Sequence, residues 1–158
     1  MSRNRIADLQ LRGSTSPLPV RVYWPARAAS QPVPVLVFCV AGAGAGVRAE
    51  AACRSLSGDA GLVVLSVLCA AGSPDGTTVL EWAAEHAAEL GGNPGQLMVA
   101  GEGAGGAVAA AVVAQARLRG WPPVMDLPEA VQRSLSAASD ESQGPGSSAL
   151  MNKSAEET

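Results

Sequence analysis

The chain has 158 residues, of which 47% are hydrophobic, and this size and composition predict one domain with a packed core. Its formal net charge is -3, from 11 basic and 14 acidic residues, and no basic stripe appears along the chain, so nucleic acid is excluded as an expected partner. No apolar run reaches the roughly 20 residues that a membrane-spanning helix needs, and the first residues lack the apolar stretch of a secretory signal. We therefore expect a cytoplasmic protein with no membrane partner.

The cysteine content supports the same location. Cys39, Cys53 and Cys69 are widely spaced and odd in number, and two of them fall in predicted strands. This pattern is typical of reduced thiols in a protein core, not of a disulfide framework or a metal site. We expect no metal and no cofactor.

The first half of the chain predicts strands and one helix. Residues 6–12 and 18–24 alternate apolar and polar side chains around a turn-rich segment, which predicts an antiparallel pair. Residues 33–40 and 61–69 are almost continuously apolar and rich in branched side chains, as in strands buried on both faces of a parallel sheet. Residues 49–57 between them are predicted to form a helix.

The second half continues the alternation. Residues 77–90 predict a helix that Thr77 or Thr78 caps, and residues 97–100 predict a short strand after an Asn-Pro-Gly turn. Residues 104–118 are alanine and valine nearly all round, so this helix is expected to be buried.

Beyond residue 120 the regular pattern ends. Residues 126–136 suit a short amphipathic helix, and residues 137–158 are rich in Ser, Gly and acids, which predicts disorder. The predicted fold class is α/β, with a mostly parallel sheet of about five strands, flanking helices and a disordered C-terminal tail. The predicted organisation is a partial domain over 1–120, an irregular or short helical segment over 121–136, and the tail over 137–158.

The stretch LMVAGEGAGGA at 97–107 places a glycine cluster between a predicted strand and a predicted helix. Two known motifs have this context. Gly101, Gly103 and Gly106 satisfy the dinucleotide-binding pattern G-x-G-x-x-G. That pattern needs an acidic residue at the end of a second strand, and Asp126 has the right separation, but two adjacent prolines precede it and oppose a central strand. A dinucleotide-binding Rossmann-like module therefore stays open as an alternative.

The same stretch also fits the nucleophile elbow G-x-S-x-G, except that Gly103 stands where the serine belongs. Three segments extend this second match: LPVRVYWPA, VLVFCVAGAGAG and WAAEHAAELGGNPGQLMVAGEGAGGAVAAAV. Together they resemble the first half of the hormone-sensitive-lipase-like branch of the α/β-hydrolases, which are serine carboxylesterases. The resemblance covers about residues 18 to 120.

The resemblance implies where a site would lie. Gly103 occupies the nucleophile position, and Gly101, Glu102 and Gly105 form the rest of the elbow. The oxyanion motif H-G-G-G of the family corresponds to Val40, Ala41, Gly42 and Ala43, so the vestigial oxyanion-hole positions are Gly42, Ala43 and Ala104.

The same resemblance implies that the catalytic triad is absent. The family's acid and histidine come from a second half that this chain lacks, and the only histidine, His86, is expected on the solvated side of a helix. Cys39 is not a substitute nucleophile, because a thiol inside an apolar strand has a raised pKa. We therefore expect a truncated, non-catalytic homologue.

The family's sheet continues beyond the elbow strand, which implies that strand 97–100 is an open edge here. Such an edge exposes unpaired backbone groups. We expect that a second copy, a partner protein or the tail covers it, which makes a protein-interaction module a further alternative.

Overall fold

The computed structural model describes residues 5–13, 16–26, 30–42, 44–70 and 72–137. Within these ranges five strands form a mixed sheet: β1 (Arg5–Arg12), β2 (Pro17–Trp24), β3 (Val33–Val40), β4 (Val63–Leu68) and β5 (Gly92–Gly101). Their order across the sheet is β1-β2-β4-β3-β5. β2 is antiparallel to β1 and β4, whereas β3 is parallel to β4 and β5. The predicted antiparallel pair and the predicted parallel strands are therefore confirmed.

The burial of the strands follows their sequences. β3 reads VPVLVFCV and is buried at every residue from Val35 to Val40, because β4 and β5 flank it and helices cover both of its faces. β2 alternates from Leu18 to Val22, with exposed residues between buried ones, because one of its faces lies toward solvent. The centre of the core therefore lies at β3 and β4.

Two helical layers enclose the sheet. The helices are α1 (Ala45–Asp59), α2 (Asp75–His86) and α3 (Ala104–Arg119), with a 3-10 turn at Ala87–Leu90 and a further helical segment over 129–137. α2 and α3 pack on one face through side chains such as Leu80 and Val112. α1 and the segment 129–137 pack on the other face through side chains such as Leu56 and Val131.

Helix α2 differs from its predicted start and cap. It begins at Asp75, and Pro74 occupies the N-cap position without a side-chain cap. The Thr78 hydroxyl instead donates to the Pro74 carbonyl at 3.1 Å, as serine and threonine side chains do inside a first turn. The predicted threonine cap is therefore wrong.

Strand β5 is longer than predicted, and helix α3 is less buried. The predicted turn at Asn93-Pro94-Gly95 is an irregularity within β5, where Gly95 N–H donates to Asn93 Oδ1 at 2.8 Å and the register against β3 shifts. α3 buries one face and exposes Ala110, Ala114 and Leu118, the last at 89%. The prediction of an all-round buried helix is wrong because no element of the described chain covers its outer face.

The two edge strands differ in character. β1 exposes Arg5, Asp8 and Arg12, and Asp8 pairs with Arg21 of β2 at 2.8 Å. β5, at the opposite edge, has buried apolar residues at 97–100, just before its last residue, Gly101. The segment after α3 crosses this edge once, where Met125 N–H donates to the Leu97 carbonyl at 2.9 Å.

Among the described residues, no helix has the length and apolar character needed to cross a bilayer. The three cysteines are free thiols, and all three are buried. The predicted tail lies outside the described residues, except for its first residue, which ends the segment 129–137.

Candidate functional site

The predicted elbow lies at the carboxyl edge of the sheet, where β3, β4 and β5 all end. β5 ends at Gly101, and α3 begins at Ala104, so only Glu102 and Gly103 connect the strand to the helix. The turn is closed by Gly105 N–H donating to Glu102 O at 2.8 Å and by Gly106 N–H donating to Gly103 O at 3.0 Å. The carboxyl edge is where open α/β sheets bind ligands.

Gly103 adopts φ 54° and ψ -123°, a backbone conformation that favours glycine. A Cβ atom built here meets no heavy atom within 4 Å. A side chain at this position would therefore point into open space above the turn. Residue 103 is a glycine, so the chain presents only a hydrogen there.

The glycines on either side of Gly103 serve packing. A Cβ atom at Gly105 would collide with the Cys39 carbonyl oxygen and lie 3.1 Å from the Cys39 carbonyl carbon. A Cβ atom at Gly101 would lie 2.8 Å from the same oxygen and would collide with the Gly105 carbonyl. Both glycines let α3 approach the end of β3, which fixes the turn against the sheet.

The predicted oxyanion-hole positions belong to two parts of the chain: Gly42 and Ala43 come after β3 in the sequence, and Ala104 begins α3. Gly42 has φ 99°, and its carbonyl accepts a hydrogen bond from Ala45 N–H at 3.3 Å at the start of α1. Ala104 is the first residue of α3 and is exposed. Ala43 lies outside the described residues. The structure therefore describes two of the three backbone positions that the resemblance assigns to an oxyanion hole.

His86 lies far from the elbow. It is the last residue of α2, about 17 Å along the helix axis from Asp75, which lies at the carboxyl edge. Its ring stacks on Trp82 with 4.5 Å between ring centroids, and its Nδ1 is 2.9 Å from the Trp82 carbonyl oxygen. His86 is thus half-buried rather than fully solvated, and it does not reach the elbow.

The remaining candidates near the elbow have supporting roles. Cys39 is fully buried at the end of β3, and a hydrogen bond with Cys69 together with burial raises the pKa of its thiol. Glu102 is half-buried in the turn, and its negative charge contributes to the raised pKa of Cys53. Neither arrangement activates a nucleophile.

The sequence did not predict that Cys39 and Cys69 lie together. Cys39 is the penultimate residue of β3, and Cys69 directly follows β4. The signal was present, because both residues fall at the ends of apolar strands predicted to be parallel, and such ends share one edge of the sheet.

The structure gives little support to a dinucleotide site at Gly101, Gly103 and Gly106. Asp126 lies in an irregular segment and not at the end of a strand beside β5. Its carboxylate is bound to the Arg117 guanidinium at 2.8 Å, so it is not placed to receive a ribose hydroxyl.

A groove of about 420 Å³ runs beside the elbow along the open edge of β5. Val99 and Gly101 of β5, small side chains of α3, and Leu127 and Leu135 of the segment after α3 line the groove. The groove is mainly apolar and contains one cation, Arg117, among its lining residues.

Known proteins that resemble this chain share the α/β-hydrolase fold or are esterases. The alpha/beta hydrolase fold family matches residues 37–155. Esterase LipI of Mycobacterium tuberculosis is 30% identical over 133 residues, which cover 77% of this chain and 42% of that protein. Carboxylesterase NlhH of the same species is 35% identical over 119 residues, covering 68% of this chain and 37% of that protein.

Solved structures resemble the chain to a similar extent. A hyperthermophilic esterase from the archaeon Pyrobaculum calidifontis superposes with a TM-score of 0.67 at 29% identity, over 76% of this chain and 42% of its own. The carboxylesterase EstE1, from a metagenomic library, gives a TM-score of 0.66 at 27% identity, over 76% of this chain and 44% of its own. The chain therefore corresponds to less than half the length of these relatives.

Proposed function

The chain belongs to the α/β-hydrolase fold family, and from this premise we propose that it is a non-catalytic homologue of the carboxylesterases. One observation carries the proposal: Gly103 stands at the turn between β5 and α3 with open space where a nucleophilic side chain would point. Acyl transfer in this fold begins with attack by a side-chain oxygen at this turn. A glycine has no atom that can form the covalent intermediate.

The surroundings of the elbow support the same conclusion. A nucleophile needs a base within hydrogen-bond reach, and the chain's single histidine, His86, is at the far end of α2. Oxyanion stabilisation by backbone groups alone leaves roughly 10³-fold acceleration over water, which is far below the turnover of an esterase. We place this function in the cytoplasm, because three free buried thiols suit a reducing compartment.

Hydrolysis of p-nitrophenyl acetate tests the proposal on the full chain. We expect no saturable turnover from the wild-type protein, and none from Gly103→Ser, because the chain's one histidine, His86, lies at the far end of α2 from the introduced hydroxyl. Gly103→Ala is the matched control, since it places a Cβ at the same backbone position without a hydroxyl. Wild-type hydrolysis that saturates with substrate and rises in proportion to protein concentration would contradict the proposal.

We propose a second candidate function, self-association through the edge of β5. The open part of this edge, from Val99 to Gly101, lines the apolar groove together with exposed alanines of α3. The occupant is a second copy of the chain. Two identical edges pair antiparallel about a two-fold axis and bring two groove walls together, without a partner of different shape.

The oligomeric state in solution tests this second candidate. We expect light scattering after size-exclusion chromatography to give the mass of a dimer at micromolar concentration. Ala110→Glu and Ala114→Glu place a charge in the groove wall and are expected to give monomers. Ala107→Glu is the matched control, because Ala107 is exposed on the same helix but does not line the groove. A well-folded wild-type monomer at every concentration would rule out self-association.

A further inference from the structure

Two buried cysteines meet at the carboxyl edge of the sheet, next to the elbow but outside its turn. Cys39 is near the end of β3, and Cys69 follows the last residue of β4. These strands are parallel neighbours, and Cys69 N–H donates to the Val40 carbonyl at 2.7 Å, which extends their pairing by one residue. The backbone therefore holds the two cysteines in a fixed relation.

The two sulfur atoms lie side by side over Gly76, in the first turn of α2. A Cβ atom at Gly76 would be 3.5 Å from Cys39 Sγ and 3.7 Å from Cys69 Sγ. The Cys69 thiol donates to the Val67 carbonyl oxygen at 3.8 Å, and the Cys39 and Cys69 thiols are close enough to shift each other's pKa. The absence of a side chain at residue 76 leaves room for both sulfur atoms beside the first turn of α2.

The environment makes the two thiols chemically different. A hydrogen bond with Cys39, aided by the Gly76 backbone N–H, lowers the pKa of Cys69 despite its burial and the nearby negative charge of Asp75. The same thiol pair raises the pKa of Cys39, and burial raises it further. A thiol at a helix N-terminus that accepts such hydrogen bonds is the one that reacts.

We propose that Cys39 and Cys69 form a redox pair, which a hydroperoxide converts to an intramolecular disulfide. This redox chemistry is independent of ester hydrolysis at the elbow. Hydrogen peroxide is the smallest hydroperoxide, which suits a pair in which Cys39 is 0% exposed and Cys69 is 3% exposed.

The reaction balances in two steps. The Cys69 sulfur attacks one peroxide oxygen, the O–O bond breaks, and the departing hydroxide takes the Cys69 proton to form water. This step leaves a sulfenic acid on Cys69. The Cys39 sulfur then attacks Cys69 Sγ, the S–O bond breaks, and the hydroxyl leaves as water with the Cys39 proton. Both thiols are oxidised, and one peroxide is reduced to two waters.

Cys53 provides an internal control. It is also fully buried, but it lies in α1 on the opposite face of the sheet, and burial is the main cause that raises its pKa to about 12. A general effect of peroxide on buried thiols would modify Cys53 as well. A specific pair reaction would leave it reduced.

The experiment treats the full folded chain with hydrogen peroxide and counts free thiols after denaturation. We expect the count to fall from three to one in the wild type and from two to none in Cys53→Ala. The intact mass falls by about 2 Da, and reductant restores it. Cys69→Ala is expected to keep both of its thiols under the same treatment.

Peptide mapping of the wild-type protein decides the pairing without any variant. A peptide that joins Cys39 to Cys69 supports the proposal. A cross-link that contains Cys53, a dimer joined through one cysteine, or three thiols that stay free after treatment would each overturn it.

Discussion

At the scale of the residue, the glycines of the elbow have different tasks although they are neighbours in sequence. Residue 103 suits a glycine because of its backbone conformation, since its φ is positive although no heavy atom lies within 4 Å of a Cβ built there. Residue 105 requires a glycine because it has no side chain, since any Cβ would overlap the Cys39 carbonyl oxygen. Gly103 is the position at which a reactive side chain would have to stand. Gly105 is the position at which α3 packs against the end of β3.

This difference gives a prediction for Gly105→Ala. The added methyl group forces α3 away from the end of β3, and we expect a loss of about 1–3 kcal/mol in the free energy of unfolding. Urea denaturation followed by circular dichroism measures it. Gly46→Ala is the control, because Gly46 lies in α1 and no heavy atom lies within 4 Å of a Cβ built there. This substitution is expected to raise the free energy of unfolding by about 0.4–1 kcal/mol. Equal effects of the two substitutions would refute the close approach at Gly105.

At the scale of the element, the backbone groups of β5 are hydrogen-bonded to a neighbouring strand on one side and only partly hydrogen-bonded on the other. Its inner side pairs with β3, and on its outer side Leu97 O receives the Met125 N–H. Backbone groups two residues apart in a strand point the same way, so those of Val99 also point outward and those of Met98 point toward β3. The edge is therefore open just before the elbow.

Hydrogen exchange tests this arrangement. In dilute protein we expect the Met98 amide to be protected by β3 and the Val99 amide to exchange at least about ten-fold faster, because exchange protection follows hydrogen bonding. Mass spectrometry with residue-level fragmentation resolves the two amides. If the Val99 amide becomes protected as the protein concentration rises, a second copy covers the edge. Equal protection at the lowest concentration would contradict an open edge.

The sequence predicted the elements that have a strong local signal. The branched apolar runs of β3 and β4 predicted buried parallel strands, and the glycines around Gly103 predicted a strand-to-helix turn, which is where the structure has it. The outer half of α3 was not predictable, because alanine suits a buried and an exposed helix face equally well. The apolar runs predicted that Cys39 and Cys69 share one edge of the sheet, but an unbroken apolar run does not fix which residues of β3 and β4 pair, so their proximity was not predicted.

At the scale of the whole molecule, burial of ionisable groups makes stability depend on alkaline pH. The pKa of Cys53 is raised from 9.0 to about 12, mainly by burial, and burial also raises the pKa of Tyr23. Because the unfolded chain releases these protons first, their contribution to stability is complete below pH 9 and is lost as the pH rises toward 12.

We therefore expect the free energy of unfolding to fall with rising pH in this window, with Cys53 contributing about 1.4 kcal/mol per pH unit. Urea denaturation at several pH values measures the slope. In Cys53→Ala the slope should be smaller by that amount, whatever the effect of the substitution at neutral pH. Identical slopes for the two proteins would show that Cys53 is not shielded from solvent.

The contrast between the two edges of the sheet limits how copies of this chain can assemble. β1 carries Arg5, Asp8 and Arg12 along its exposed edge, and such charges oppose the addition of another strand. β5 carries no charged side chain, and its edge is protected only by Pro94 with the register shift beside it and by the Met125 contact at Leu97. If two molecules join through β5, both ends of the combined sheet are β1 strands. Growth then stops at two, so the same asymmetry that permits a pair protects the protein from polymerising into fibres.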